Sequence, residues 1–335
     1  MSSVFRSVCR TVRSMRQTRR GAAAVLLAAV AALSACDGGS PITPFVPTRV
    51  LAFGDESSVI DSAGRKYTVN ALDSTATTID CATNLIWIQV VATSRYGLVF
   101  PECNPNNVAN PASRILATPG AKVADLAQQI DRQLAAGPLT ARDLVTVMVG
   151  ANDLIDLYRT YPTNNVDALI AESDRLGQEL GRQVNRLVDS GARVLVATVF
   201  NLAATPFGRA EKASDTTFDR GALLAAMVQN FNASLRTTIV NDGRRLGIVL
   251  ADALFDNYLR LPALGGFVNV SDPVCAPTAL APNCNSGTVG PADAAGNPPS
   301  SANWLWADPF RLSPAGHAQL GTAAASRASN NPFGS

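Results

Sequence analysis

Four short stretches of this chain hold the residues with chemistry to offer. Asp55-Glu56-Ser57-Ser58 follows Gly54, Asn152-Asp153 follows Gly150-Ala151, Asp308 stands three residues before Arg311, and His317 is the single histidine in 335 residues. Acyl transfer needs a nucleophile, a base within hydrogen-bond reach of it, and donors aimed at the developing oxyanion. Glu56 is acceptor-only when ionised and makes a poor acyl-transfer nucleophile. Arg311 keeps its proton at any relevant pH and cannot serve as a base. Glu56 and Asp308 also form a pair of carboxylates of the kind used in acid–base glycoside hydrolysis. An arginine between them would hold both ionised, leaving no proton donor at neutral pH.

Continuous apolar runs place these residues. Arg49 to Phe53, with the run Val-Leu-Ala-Phe, ends at Gly54, Leu144 to Val149 ends at Gly150, Val194 to Val199 is a third run, and Gly247 to Leu250 begins a fourth. Runs rich in Val, Leu and Ile, separated by helix-length segments, predict parallel strands covered on both faces. The helices are expected over 165–190, 219–246 and 313–330. This is an α/β, doubly wound layout, a three-layer α/β/α sandwich around a mostly parallel sheet. Ligands bind such sheets at the carboxyl ends of the strands. Glu56 and Asn152 both lie just past a strand, so the pattern sets them at one rim.

The first 35 residues read as an export signal. Residues 1–20 carry six Arg and no acid, an apolar run spans Gly21 to Leu33, and Leu33-Ser34-Ala35-Cys36 follows. This resembles a bacterial lipoprotein signal, which implies lipidation of Cys36, a membrane-anchored protein of the cell envelope, and a bilayer as partner. Residues 36–47, rich in Gly and Pro, are expected to form a tether, and 48–335 one domain. Loss of the six Arg takes the net charge from +2 to −4, with 22 basic against 26 acidic residues remaining. Such a balance has no electrostatic footprint for nucleic acid. Cys81, Cys103, Cys275 and Cys284 then remain, which in an oxidising compartment suggests two disulfides. Proximity favours Cys81–Cys103 and Cys275–Cys284 among three pairings. No Cys-x-x-Cys pair or nearby His supports a metal site, and no cofactor is expected. A monomer is expected.

Taken in order, the stretches resemble the blocks of the SGNH/GDSL esterase/lipase family. Gly54-Asp55 matches the first block, and Thr118-Pro119-Gly120-Ala121 looks like the second. Gly150-x-Asn152-Asp153 matches the third, and Asp308-x-x-Arg311 aligns with the last. Asn201-Leu202-Ala203-Ala204-Thr205-Pro206 and Phe231-Asn232-Ala233 resemble segments between them. The resemblance implies ester hydrolysis, with an oxyanion hole built from Gly120, Asn152 and the backbone N–H of residue 56, and with Asp308 as the orienting acid. It also shows what is missing: Glu56 stands where the family has its nucleophilic Ser, and Arg311 where it has its basic His. Ser57 or Ser58 as a shifted nucleophile would leave the turn in a different direction. His317 at the start of the last helix reads as a capping or surface residue. Because Ser and His normally touch, Glu56 and Arg311 are expected to form an ion pair in place of a triad. The implied product is a degenerate hydrolase whose crevice could hold an acyl ester or a glycan. A working esterase and a purely structural lipoprotein are the alternatives.

Overall fold

A computed structural model describes residues 44–240, 243–330 and 333. The expected signal sequence, Cys36 and most of the expected tether lie outside those residues. Nine strands are present among them: β1 (Arg49–Gly54), β2 (Ala71–Leu72), β3 (Ile79–Asp80), β4 (Arg114–Ile115), β5 (Asp143–Met148), β6 (Arg193–Ala197), β7 (Leu246–Val249), β8 (Asn269–Pro273) and β9 (Trp304–Trp306). The central sheet has the order β4-β1-β5-β6-β7, and all of its pairings are parallel. Every residue of β5 is buried. A strand can bury both of its faces only if both are covered, and the connecting helices cover them.

The helices are α1 (Trp87–Gln89, continued by a π-helical stretch Val90–Arg95), α2 (Val123–Ala136), α3 (Ala151–Tyr158), α4 (Val166–Asp189), α5 (Pro206–Ser214), α6 (Arg220–Thr238), α7 (Ala251–Arg260) and α8 (Pro314–Asn330). Helices α4 and α6 pack along one another, while α8 packs against α1, β6 and β7. The helix expected over 219–246 stops at Thr238, where Ile239 turns to extended backbone. The apolar pair Ile239-Val240 continues a helical pattern in sequence, but β-branched residues lead readily into extended chain. Phe45 and Pro47, inside the stretch expected to be tether, pack on the domain. Phe45 meets the ring of Phe333 edge-on at 5.4 Å, and Pro47 is buried.

Two disulfides close the loops as proximity suggested, Cys81–Cys103 and Cys275–Cys284. The second sits in a small satellite core with Val69, Val274, Trp304 and Ala307 beside the β8–β9 pair. Trp304 and Trp306 are both fully buried, and the indole N–H of Trp306 donates to the carbonyl of Val270 at 3.0 Å. They hold the core under the last block and line no groove.

The rim depends on the exit of β1. Gly54 has φ +116°, and a Cβ there would lie 1.9 Å from the carbonyl oxygen of Met148 on β5. Gly120 also has positive φ, +73°, but a Cβ there meets nothing within 4 Å. Gly54→Ala should therefore cost on the order of 3 kcal/mol or prevent folding. Gly120→Ala should cost only about 1–2 kcal/mol of backbone strain. Denaturant titration of the two variants checks the ranking, and equal losses would show that the contact with Met148 does not matter.

Candidate functional site: a carboxylate seated on the rim donors

Three anchors bring the rim together. The amide of Gly54 donates to Gln129 Oε1 at 2.8 Å, and Gln129 Nε2 donates back to the carbonyl of Gly54 at 2.9 Å. Gln129 Nε2 also reaches Thr118 Oγ1 at 3.3 Å, so one buried side chain fixes both the end of β1 and the loop that carries Gly120. The Asp153 carboxylate accepts the amide of Val123 at 3.1 and 3.2 Å, joining the start of α3 to the start of α2. Burial raises its pKa to about 6, against the pull of that amide. After Gly54, the Asp55 carboxylate accepts the amide of Ser57 at 2.9 Å and caps the 3₁₀ turn Glu56–Ser58. The Glu56 side chain then points across the rim.

Glu56 is 7 % exposed, and both of its oxygens are committed. Oε2 accepts the amide of Gly120 at 2.9 Å and the side-chain Nδ2 of Asn152 at 2.9 Å. Oε1 accepts Arg311 Nη2 at 3.0 Å and Nε at 3.2 Å. Arg311 Nη1 donates to Asp308 Oδ2 at 2.7 Å. The other oxygen of Asp308 accepts the amides of Phe310 and Arg311 at 3.0 and 2.9 Å, so this fully buried acid also closes the turn that presents Arg311. The Tyr67 ring covers the guanidinium, 5.5 Å from ring centroid to Cζ. The second amide hydrogen of Asn152 is held by the carbonyl of Ala121 at 3.2 Å. Glu56, Asp308, Arg311, Gly120 and Asn152 thus converge within one hydrogen-bonded cluster.

The protonation states follow from the partners. Burial would raise the pKa of Glu56. The charge of Arg311, the Asn152 amide, and the backbone amides of Glu56 and Gly120 outweigh it and hold the carboxyl below its ordinary range. Burial opposes the charge on Arg311 too, but Asp308 and Glu56 win and raise its pKa. The proton that a crowded acidic pair must keep sits next door. Burial first, and the charge of Glu56 second, push Asp55 up to about 8.

Ser57 is half-buried, and its amide is held by Asp55, whereas Ser58 and His317 are both drawn into the core. Ser58 is fully buried, and its Oγ accepts the indole N–H of Trp87 at 3.1 Å. His317 is 1 % exposed, so the surface reading needs correcting, and the N–H it accepts is that of the first residue of α1 rather than one of its own helix. Its Nδ1 accepts the backbone N–H of Trp87 at 3.4 Å, and burial together with the charge of Lys66 lowers its pKa to about 3. It is a neutral core acceptor, engaged with α1 and not with the rim. Sequence reading missed Gln129, Asp153 and Tyr67 as positioning groups. One signal was present for Gln129: it falls on the buried stripe Val123, Leu126, Gln129, Ile130 of α2, where an uncharged polar residue needs a partner.

Chemically, the cluster is an occupied anion site. Gly120 N–H, Asn152 Nδ2 and the residue-56 amide, the donors expected to face an oxyanion, face a resident carboxylate. Hydrogen bonds to a charged group contribute about 1.5–3 kcal/mol each, so a neutral ester carbonyl competes poorly for them. Arg311→Ala would strand two buried carboxylates and should destabilise the protein by about 3–5 kcal/mol. An unchanged melting temperature would show that the pair carries no stability. The acids also set opposite pH slopes. Glu56, with its folded pKa lowered, adds stability above its unfolded pKa that is lost as pH falls through the folded value. Asp55 binds its proton more tightly when folded, so its contribution is present at low pH and is lost as pH rises from its ordinary 3.8 towards about 8. Asp55→Asn should flatten the decline in stability over that window, and a parallel pH–stability curve would contradict the assignment.

Comparison with known proteins places the chain in a family. The family described as GDSL-like Lipase/Acylhydrolase has a model that matches residues 50–324. A GDSL esterase/lipase from Arabidopsis thaliana is 28 % identical over 142 residues, which cover 40 % of this chain and 37 % of that protein. The chain thus matches little more than a third of that relative's length. Among solved structures, a member of the lipolytic G-D-S-L family from Veillonella parvula superposes with TM-score 0.43 at 9 % identity, covering 82 % of this chain and 95 % of its own. An acetylxylan esterase from Geobacillus stearothermophilus gives TM-score 0.41 at 15 % identity, covering 85 % and 96 %. The family match spans every residue of the Glu56–Arg311–Asp308 network, and this chain belongs to the GDSL-like lipase/acylhydrolase family.

Proposed function

We propose that this protein is a non-hydrolytic member of an ester-hydrolysing family, exported as an envelope lipoprotein and retained for binding or scaffolding. The observation that carries the reading is the seat of Glu56 Oε2, 2.9 Å from both Gly120 N and Asn152 Nδ2. A hydrolase must keep those donors free until the oxyanion forms, because catalysis comes from contacts made more strongly in the transition state than before it. Here they are engaged in the resting protein by a charge that also neutralises Arg311. No neutral imidazole stands at the rim, since His317 is committed to Trp87 in the core. A ligand of the acyl-ester or glycan class would dock outside the ion pair, over Tyr67 and Arg311, and not on the oxyanion donors. Lipidation at Cys36 and residence at the periplasmic face or in the outer membrane are parts of the same proposal, supported by the basic, apolar and Leu-Ser-Ala-Cys succession.

The test is a p-nitrophenyl ester assay on the protein as it is and on Glu56→Ser/Arg311→His. The expected result is no turnover above background by the unmodified protein and measurable hydrolysis by the double variant. The double variant empties the donors, supplies a nucleophile and a base, and leaves Asp308, Gly120 and Asn152 in place. Hydrolysis by the unmodified protein that disappears in Ser57→Ala would overturn the proposal.

A further inference from the structure

Tyr67, whose ring covers Arg311, is held in place by its neighbours in the chain. Lys66 is fully buried, and its ammonium donates to the carbonyls of Cys81 at 3.0 Å and Thr83 at 2.6 Å. The side chain of Asn70, also fully buried, accepts the Lys66 amide at 2.9 Å and donates to the Lys66 carbonyl at 3.0 Å. Just beyond Tyr67, Thr68 Oγ1 donates to the carbonyl of Leu312 at 2.9 Å, beside Arg311. Tyr67 is thus carried on a short closed loop, and one attachment of that loop is a buried cation. Burial pulls the pKa of Lys66 down to about 8, against the charge of Asp80. Such a cation stays inside only while its acceptors stay with it.

That attachment ends on a disulfide. The carbonyl of Cys81 accepts Gln89 Nε2 of α1 at 3.0 Å as well as Lys66. A Cβ at Gly64 would lie 3.1 Å from the Cβ of Cys81, so the turn that leads into Lys66 rests directly on the Cys81–Cys103 bridge. The two disulfides differ in access. Cys275 and Cys284 are 1 % and 0 % exposed inside the satellite core, whereas Cys81 is partly exposed. Thiol–disulfide exchange needs a sulfur that a thiolate can reach. We infer that Cys81–Cys103 is a redox-sensitive clasp on the cover of the rim: its reduction frees Lys66 and lets Tyr67 leave the guanidinium of Arg311. In that step a dithiol attacks one sulfur as the thiolate, and the other cysteine leaves as a thiolate. The second thiol of the reagent then closes on the mixed disulfide and releases the first cysteine. Two electrons and two protons pass to Cys81 and Cys103, and the reagent departs as its own disulfide. With the Cys81 carbonyl no longer held, Lys66 must take its charge to water or lose it, and the charge-assisted bonds that fix the loop go with it. The clasp requires neither the lipid expected on Cys36 nor the absence of hydrolysis, so it stands or falls separately from the proposed function.

The experiment uses the full chain as Tyr67→Trp. The three native tryptophans, Trp87, Trp304 and Trp306, are at most 1 % exposed and supply a background that the parent protein measures. Without reductant, acrylamide should quench the introduced indole poorly. With dithiothreitol the quenching should rise several-fold, while iodoacetamide labels Cys81 and Cys103 but not Cys275 or Cys284, and the far-UV dichroism holds. Lys66→Met added to the same protein, with both disulfides closed, should show the higher quenching already, and reduction should then add little. That result separates the link through Lys66 from a general loosening. Low quenching in a protein whose Cys81 and Cys103 are labelled would overturn the inference. So would a Cys81–Cys103 bond that resists the dithiol, or one that opens no sooner than Cys275–Cys284. Loss of the helical signal on reduction would overturn it too, because the bond would then hold the domain and not the cover.

Discussion

The carboxylate of Glu56 and the guanidinium of Arg311 hold each other at the rim of the parallel sheet, and the neighbouring groups are arranged around that contact. A buried ion pair is stable only when its remaining lone pairs and protons are also satisfied. Here Gly120 and Asn152 take the far oxygen of Glu56, Asp308 takes a further edge of Arg311, and Tyr67 lies over the face of the guanidinium. Burial first, and the charge of Glu56 second, raise the pKa of Asp55 to about 8 and favour its protonated form at neutral pH. Removing any one of these groups leaves the others mismatched. The cluster behaves as a unit in which each charged group is held by the others.

What the framework contributes can be separated from what the contents contribute. Gln129 fixes the end of β1, Asp153 joins α2 to α3, and the backbone turn closed by Asp308 sets the place of residue 311. None of these contacts involves the side chains of Glu56 or Arg311. The geometry a triad would need is therefore maintained by groups whose interactions are independent of a triad. That separation explains how the donors remain aimed at one point in a protein that fills the point itself.

Much of this could be read from the chain. The strands were legible because each central one is a continuous apolar run, and both disulfides because their partners lie close in sequence. The meeting of Glu56 with Arg311 was legible because the two replacements are complementary and occupy places that must touch. Other features depend on the third dimension. That Glu56 also reaches Gly120 and Asn152 depends on where the loop after Thr118 and the start of α3 bring those donors. The burial of His317 depends on α1, a short helix with no periodic signature of its own. The end of α6 at Thr238 was hidden by two apolar residues that suit a helix face and extended chain equally well.

The turn at Asp308 and the pairing of Glu56 with Arg311 bear on how such a site can change over generations. Restoring a serine at position 56 alone would leave Arg311 facing one acid and an empty cradle of donors. Restoring a histidine at 311 alone would leave the Glu56 and Asp308 carboxylates together without their guanidinium. Each single step passes through a chain with a buried charge out of balance. A double change keeps the buried charge balanced where each single change does not, which makes the present state a ratchet: easier to hold than to leave in either direction.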